Sequence, residues 1–206
     1  MNELTVIITY YNKEEYIQAC IDSLKHQRNQ DFDMIIVNDG SNDGSKAILD
    51  EALKDYDKNV QVIDFDNNQG HAHARNVAME HVQTPYFMFL DADDELASYA
   101  IQYYLKHVNG LDALIAPINN FTLNQPQYID QNKIRLEYMN TKTNPNSFLR
   151  KNTACNILFK TSIVRAHHIE FDESLKTYID NSFVVNYINY AAVSYTHLRA
   201  HETGRN

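Results

Sequence analysis

The chain has no tryptophan, two cysteines, five glycines and four prolines in 206 residues. So little glycine and proline excludes collagen-like or linker-dominated architectures. Cys20 and Cys155 lie far apart and form no CxxC pair, so they carry no disulfide framework; they read as buried free thiols in a reducing cytosol. Positive charge is also scarce, with 18 Lys+Arg against 27 Asp+Glu and a net charge of −9. That balance argues against a general nucleic-acid binder, which carries a basic face. No run approaches the roughly 18 apolar residues of a membrane helix, and the apolar run at residues 4–8 is too short for a secretory leader. Internal repeats and low-complexity tracts are absent as well.

Hydrophobic residues make up 44% of the chain and charged residues 22%, enough apolar surface to build a core and too much for disorder. Strand-like and helix-like patterns alternate. Residues 4–10 are a continuous β-branched run, as expected of a strand covered on both faces. Asn12 is placed to cap a helix striped by Tyr16, Ile17, Cys20, Ile21 and Leu24. Strands follow at 32–37, 60–65, 86–90 and 114–118, separated by helices striped by Leu49 and Leu53, by Ala74, Val77, Ala78 and Val82, and by Ala97, Ile101, Leu105 and Val108. Serial β–α units predict an α/β fold with a mostly parallel central sheet and helices on both faces. A final apolar helix is expected around Phe183, Val184, Tyr187 and Ile188.

Ligands of such sheets bind beyond the carboxyl ends of the strands. The polar clusters fall there: Thr9-Tyr10-Tyr11, Asn38-Asp39, Asp66-Asn67-Asn68 and Asp91 to Asp94. Neither GxGxxG nor GxxxxGK[ST] is present, so no glycine-rich loop cradles a phosphate. An acidic rim instead repels a diphosphate unless a divalent cation intervenes, and hard oxygen ligands suit Mg²⁺ or Mn²⁺. Asp91 and Asp93 are the candidate metal ligands. Asp94 and Glu95 read as caps of the helix that follows. His71 and His73 open a helix, where i and i+2 do not share a face, so packing or a donor-phosphate contact suits them better than a shared metal. His167 and His168 read as solvated loop residues.

The ordered runs IITYYNKEEYIQACIDSL, IIVNDGSNDGS, NNQGHAHARN and YFMFLDADDEL resemble the family 2 glycosyltransferases of GT-A (Rossmann-like) fold. FLRKNTACNILFK, VRAHHIEFDESL and TYIDNSFV extend the likeness to about residue 190, more narrowly to the amino-terminal domain of staphylococcal teichoic-acid enzymes. The resemblance implies a GT-A domain over 1–192, with a nucleotide-sugar half at about 1–118 and an acceptor-side half at about 119–192. It implies that Thr9 and Tyr11 line the nucleotide pocket and that Asp39 bonds the base. Asn67 or Asn68 with Arg75 would pack around base and diphosphate, Asp91 would meet ribose or metal waters, and Asp93 would ligate the cation. Asp180 matches the family's general base. The implied activity is metal-dependent, inverting transfer of a sugar from a nucleoside diphosphate, UDP foremost, to a cell-envelope glycan or teichoic-acid-type phosphopolymer. The implied location is the cytoplasm, with peripheral association at the inner face of the plasma membrane. A non-catalytic donor- or polymer-binding module of a larger enzyme is the alternative.

Two departures bear on this expectation. Many relatives carry Glu directly before the general base, whereas this chain has Ile179. Without tryptophan, the QxxRW motif of processive polysaccharide synthases is absent. Residues 119–146 turn rich in Asn, Gln and Tyr with Lys133, Arg135 and Lys142, and read equally as an acceptor face or a solvated excursion. From residue 193 the chain reads VSYTHLRAHETGRN, which resembles a translated sequencing adapter. Residues 193–206 are therefore expected to be foreign to the domain, with the natural chain continuing in their place, as far as a further carboxy-terminal domain.

Overall fold

The computed structural model describes residues 2–115 and 153–191. The predicted acceptor-face segment 119–146 and the tail 193–206 lie outside them. Six strands form one sheet in the order β3-β2-β1-β4-β6-β5. β1 (Leu4–Tyr10) lies between β2 (Phe32–Asn38) and β4 (Tyr86–Asp91) and is parallel to both. β3 (Val60–Asp64) is an edge strand parallel to β2, with Val62 exposed. β6 (Ile157–Lys160) runs antiparallel to β4 and to β5 (Ala113–Ile115). That reversal is the one feature of the sheet that serial β–α units do not foretell. Ile157–Lys160 pairs with β4 across a long sequence separation, and nothing local encodes its direction.

The uninterrupted apolar run of β1 follows from burial on both faces. Val6 and Ile8 join one core with α1 (Ile17–Lys25), α2 (Ser45–Leu53) and α4 (Ala100–His107). Ile7, between them, faces a second core with α3 (His71–His81), α5 (Thr161–Ala166) and α6 (Ile179–Tyr190). The second core is built on Phe87, Phe89, Phe159, Phe171 and Phe183, whose rings stack or meet edge to face at 4.1 to 6.1 Å. No helix of the described residues is long and apolar enough to cross a membrane.

Two expected helix starts are corrected. Asn12 does not cap α1, which begins at Ile17; it takes a positive φ of 51° and bonds the next loop instead. Its backbone N–H donates to Ser41 Oγ at 3.0 Å, and its side chain exchanges bonds with Asn42. Tertiary contacts between two loops outweigh a local capping preference here. Asp94 and Glu95 do not cap α4 either, since that helix begins at Ala100. Asp94 N–H bonds Asp91 O within the tight turn after β4.

Candidate active site

The carboxyl ends of β1, β2 and β4 lie side by side, and the loops leaving them are tied to one another. Lys13 N–H donates to Ser45 Oγ at 2.7 Å, Glu14 N–H to Asp43 Oδ2 at 3.2 Å, and Gly44 N–H to Glu14 Oε2 at 2.7 Å. Asn38 spans from β2 to β3, donating to Asp64 and accepting from Ser41 N–H. Gly40 has φ +67°, and a Cβ there would stand 2.3 Å from the carbonyl carbon of Asn67. The loop after β2 therefore packs directly on the backbone of 67–68, a contact only glycine permits.

Asp39 exploits that approach. It is 3% exposed, and its carboxylate accepts from Gln69 N–H at 2.7 Å, Gly70 N–H at 3.0 Å and Asn68 Nδ2 at 3.0 Å. Three of its about four lone-pair sites are filled within the protein, leaving about one for a ligand. Asp39 thus builds the turn into α3. Asn67 is exposed in the same turn, and Tyr11 is exposed in the loop after β1. Thr9 Oγ1 lies 3.5 Å from His71 Nδ1 at the start of α3.

Arg75 is the centre of the site. α3 carries it into the second core, where its side chain is 2% exposed between the rings of Phe89 and Phe171, 4.9 and 5.1 Å from their centroids. Nη2 donates to Asp91 Oδ1 at 2.9 Å and Nη1 to Asp180 Oδ1 at 2.6 Å. Nη2 also meets Cys155 Sγ at 3.2 Å. Burial opposes the guanidinium's charge; the carboxylates of Asp180 and Asp91 beside it favour that charge, and its pKa moves up. Asp180 Oδ2 accepts a further bond from Ala154 N–H at 3.1 Å. One buried cation therefore joins the end of β4, the start of α6 and the turn before β6.

α6 begins under unusual constraint. Tyr178, at its N-cap, is left-handed with φ 59° and is 78% exposed. Asp180 is the second helical residue, where a carboxylate is favoured by the helix dipole. Ile179, where the resemblance implies Glu, packs partly buried against the phenylalanine core. The segment before α6 is held to α3 by Asn76, whose amide donates to Phe171 O at 2.9 Å and accepts from Phe171 N–H at 2.8 Å.

The outer carboxylate of the turn is paired differently. Asp93 Oδ2 lies 2.5 Å from Lys13 Nζ, with both side chains partly exposed. Burial, followed by Asp91 and Asp93, raises the Asp94 pKa against an opposing pull from Lys13. Among the described residues no trio of His, Cys, Asp or Glu is placed to hold a metal ion. The turn offers two carboxylates of the right hardness, Asp91 and Asp93. Mg²⁺ and Mn²⁺ are commonly held by one or two carboxylates together with substrate phosphates. The donor set therefore fits a cation bound jointly with a diphosphate.

Arg75, Asp91 and Asp180 are thus brought into one cluster, Asp39 and Asn68 into an adjoining one, and Asp93 stands at the rim. Spacing alone did not reveal Lys13, Cys155 or the Phe89 and Phe171 walls. Cys155 read as an inert thiol; burial does raise its pKa well above the ordinary value, so it stays protonated, but it sits against Arg75.

A mostly parallel sheet with acidic loops at its carboxyl edge, an antiparallel β6 and helices on both faces defines a GT-A domain. The described fold superposes on Staphylococcus aureus TarS 1-349 in complex with UDP with a TM-score of 0.75 at 21% identity, covering 95% of this chain and 58% of that one. A mannosyltransferase from Pyrobaculum calidifontis, in complex with GDP-Man and Mn²⁺, superposes with a TM-score of 0.68 at 16% identity, covering 97% of this chain and 58% of that one. The chain belongs to glycosyl transferase family 2, whose family model matches residues 5–168. It is 64% identical over 190 residues to a teichoic acid poly(glycerol phosphate) polymerase of Staphylococcus epidermidis, covering 92% of this chain and 26% of that protein. It is 30% identical over 194 residues to a poly(ribitol-phosphate) beta-glucosyltransferase of Bacillus spizizenii, covering 89% of this chain and 29% of that protein. The chain therefore spans about a quarter of the length of these relatives.

Proposed function

We propose that the domain transfers a sugar from a UDP-linked donor to a teichoic-acid-type phosphopolymer or related cell-envelope glycan, with inversion at the anomeric carbon. The observation that carries this reading is Arg75, a buried cation that fixes Asp91 and Asp180 on one guanidinium. UDP as the nucleotide is supported by the UDP complex of the structural neighbour, and the acceptor class by the names of the polymerase and glucosyltransferase relatives.

In this reading the donor lies over the carboxyl ends of β1, β2 and β4. Its base packs by Thr9, Tyr11 and the Asp39–Asn68 turn, and its diphosphate lies toward Asp91 and Asp93. Asp93 and Asp91 would hold a divalent cation here, and that ion would supply charge neutralisation for the leaving group. Arg75 fixes Asp91 and adds positive potential beneath the departing phosphate. Asp180, held on the same guanidinium as Asp91, accepts the proton of the acceptor hydroxyl as that oxygen attacks the anomeric carbon and the bond to the diphosphate breaks. Two of its about four lone-pair sites are taken by Arg75 and Ala154 N–H, which leaves room for that hydroxyl. One base facing one leaving group gives a single displacement, and so inversion. The domain would act in the cytoplasm, at the inner face of the plasma membrane.

The test is release of UDP from a panel of UDP-sugars with Mn²⁺, with and without a glycerol-phosphate or ribitol-phosphate oligomer. Acceptor-stimulated release from one donor is expected. Binding of UDP-sugars without release under any acceptor would instead support the non-catalytic module.

A further inference from the structure

We infer that Lys13 is the resident counter-cation of the turn after β4, and that it leaves Asp93 for the donor's diphosphate when a divalent cation loads. The inference rests on the donor reading above and assigns a role to a residue outside the three-carboxylate logic of the site.

Three observations carry it. First, Lys13 is anchored at its backbone, and its tip makes a partly exposed ion pair. Its N–H is fixed to Ser45 Oγ at 2.7 Å, whereas its ammonium reaches from the loop after β1 to Asp93 Oδ2 at 2.5 Å with its side chain 32% exposed. Second, the two cations of the site differ in freedom. Arg75 is locked between Phe89 and Phe171 and committed to Asp91 and Asp180, so it cannot follow a ligand outward. Lys13 has a flexible four-carbon stem that allows its ammonium to move several ångströms with no backbone change. Third, charge on the outer turn needs a partner: Asp91, Asp93 and Asp94 crowd one tight turn closed by the Asp94 N–H to Asp91 O bond, and Lys13 reaches it from the loop after β1.

A partly exposed ion pair of this kind is weak and readily exchanged. A divalent ion on Asp93 repels the ammonium while the diphosphate that arrives with it offers new anionic oxygens. Lys13 then pairs with phosphate, and the rim changes partners without leaving a charge uncompensated. Lys13 is thus both a competitor of the free cation and a contact of the cation-bound donor.

Those two roles predict shifts of opposite sign in one variant, which a purely structural residue would not produce. In Lys13→Met, Mn²⁺ titrated alone, followed by electron paramagnetic resonance, binds about threefold more tightly. UDP titrated calorimetrically in saturating Mn²⁺ binds about fivefold more weakly. Lys13→Arg restores both values toward the parent. Unchanged constants in Lys13→Met, or shifts of the same sign, overturn the inference while the parent protein still binds Mn²⁺-UDP. A parent protein that binds no UDP in Mn²⁺ removes the donor reading, and the inference with it.

Discussion

Asp180 Oδ1 lies 2.6 Å from Arg75 Nη1, so the candidate base and the buried arginine of α3 form one ion pair. The pair converts two elements distant in sequence, α3 and α6, into one wall. It also separates what a substitution does to chemistry from what it does to folding. Asp180→Asn keeps the shape of the side chain and one oxygen for Arg75 or Ala154 N–H but cannot take a proton. Donor affinity in Mn²⁺ should stay within about threefold, while turnover falls by about 10²- to 10⁴-fold. Single-turnover assays with calorimetry on the same preparation decide it, and undiminished turnover would take Asp180 out of the base role.

Arg75→Lys should be costly for folding as well as function. A single ammonium cannot satisfy Asp91 and Asp180 together, and it loses the planar contact with Phe89 and Phe171. Breaking a buried pair costs about 3–5 kcal/mol, and the partial exposure of both carboxylates reduces that to about 2–3 kcal/mol. Urea denaturation should show a lower midpoint at unchanged slope. A midpoint equal to that of the parent would mean that the guanidinium is not the tie described.

Asp93→Ala tests the rim. If the cation and diphosphate meet at Asp93, UDP affinity should fall about tenfold in Mn²⁺ and change little in chelator, because the lost interaction needs the ion. Equal weakening in both conditions would assign Asp93 a structural part through Lys13 alone.

Much of this architecture is legible in the sequence. The run of residues 4–10 announces a doubly covered strand, and the acidic clusters that follow β2, β3 and β4 fall at the carboxyl edge of the sheet as expected. What is not legible is whatever depends on contacts between distant segments. Asn12 has the chemistry of a cap, but Ser41 and Asn42 claim it. The direction of Ile157–Lys160 is set by its partners β4 and β5, not by its own four residues. Asp180 was recognisable by resemblance alone; that Arg75 grips it, with Cys155 alongside, follows from no spacing. Ile179 shows the same lesson from the other side, since an apolar residue beside Asp180 is explained once the phenylalanine core is seen behind it.

Gly40→Ala should disturb donor binding from a distance. The new methyl meets Asn67 carbon at 2.3 Å and Asn68 nitrogen at 2.5 Å, and φ +67° disfavours any Cβ. Backbone atoms cannot yield as a flexible side chain would, so the 67–70 turn must shift and its bonds to Asp39 lengthen. A loss of about 1–3 kcal/mol in stability is expected, with weaker UDP binding. Unaltered UDP affinity in a measurably destabilised variant would separate the Asp39 turn from the nucleotide pocket.

The pH response of His71 offers a test that needs no substrate. His71 is the first residue of α3; desolvation of its ring, then the charge of Arg75, lower its pKa from the usual 6.5, with Asp91, Asp180 and Asp39 pulling the other way. A histidine whose pKa is lower folded than unfolded binds its proton preferentially in the unfolded chain. Above about pH 6.5 both states are neutral and the residue contributes no slope; as pH falls through that value the unfolded chain gains the proton first, and stability drops. His71→Gln should therefore flatten the decline of the urea midpoint between about pH 6.5 and pH 5, a window above that in which the lowered carboxyls of Glu173 and Asp172 titrate. If the variant and the parent decline in parallel over that window, His71 is not held neutral by its neighbours.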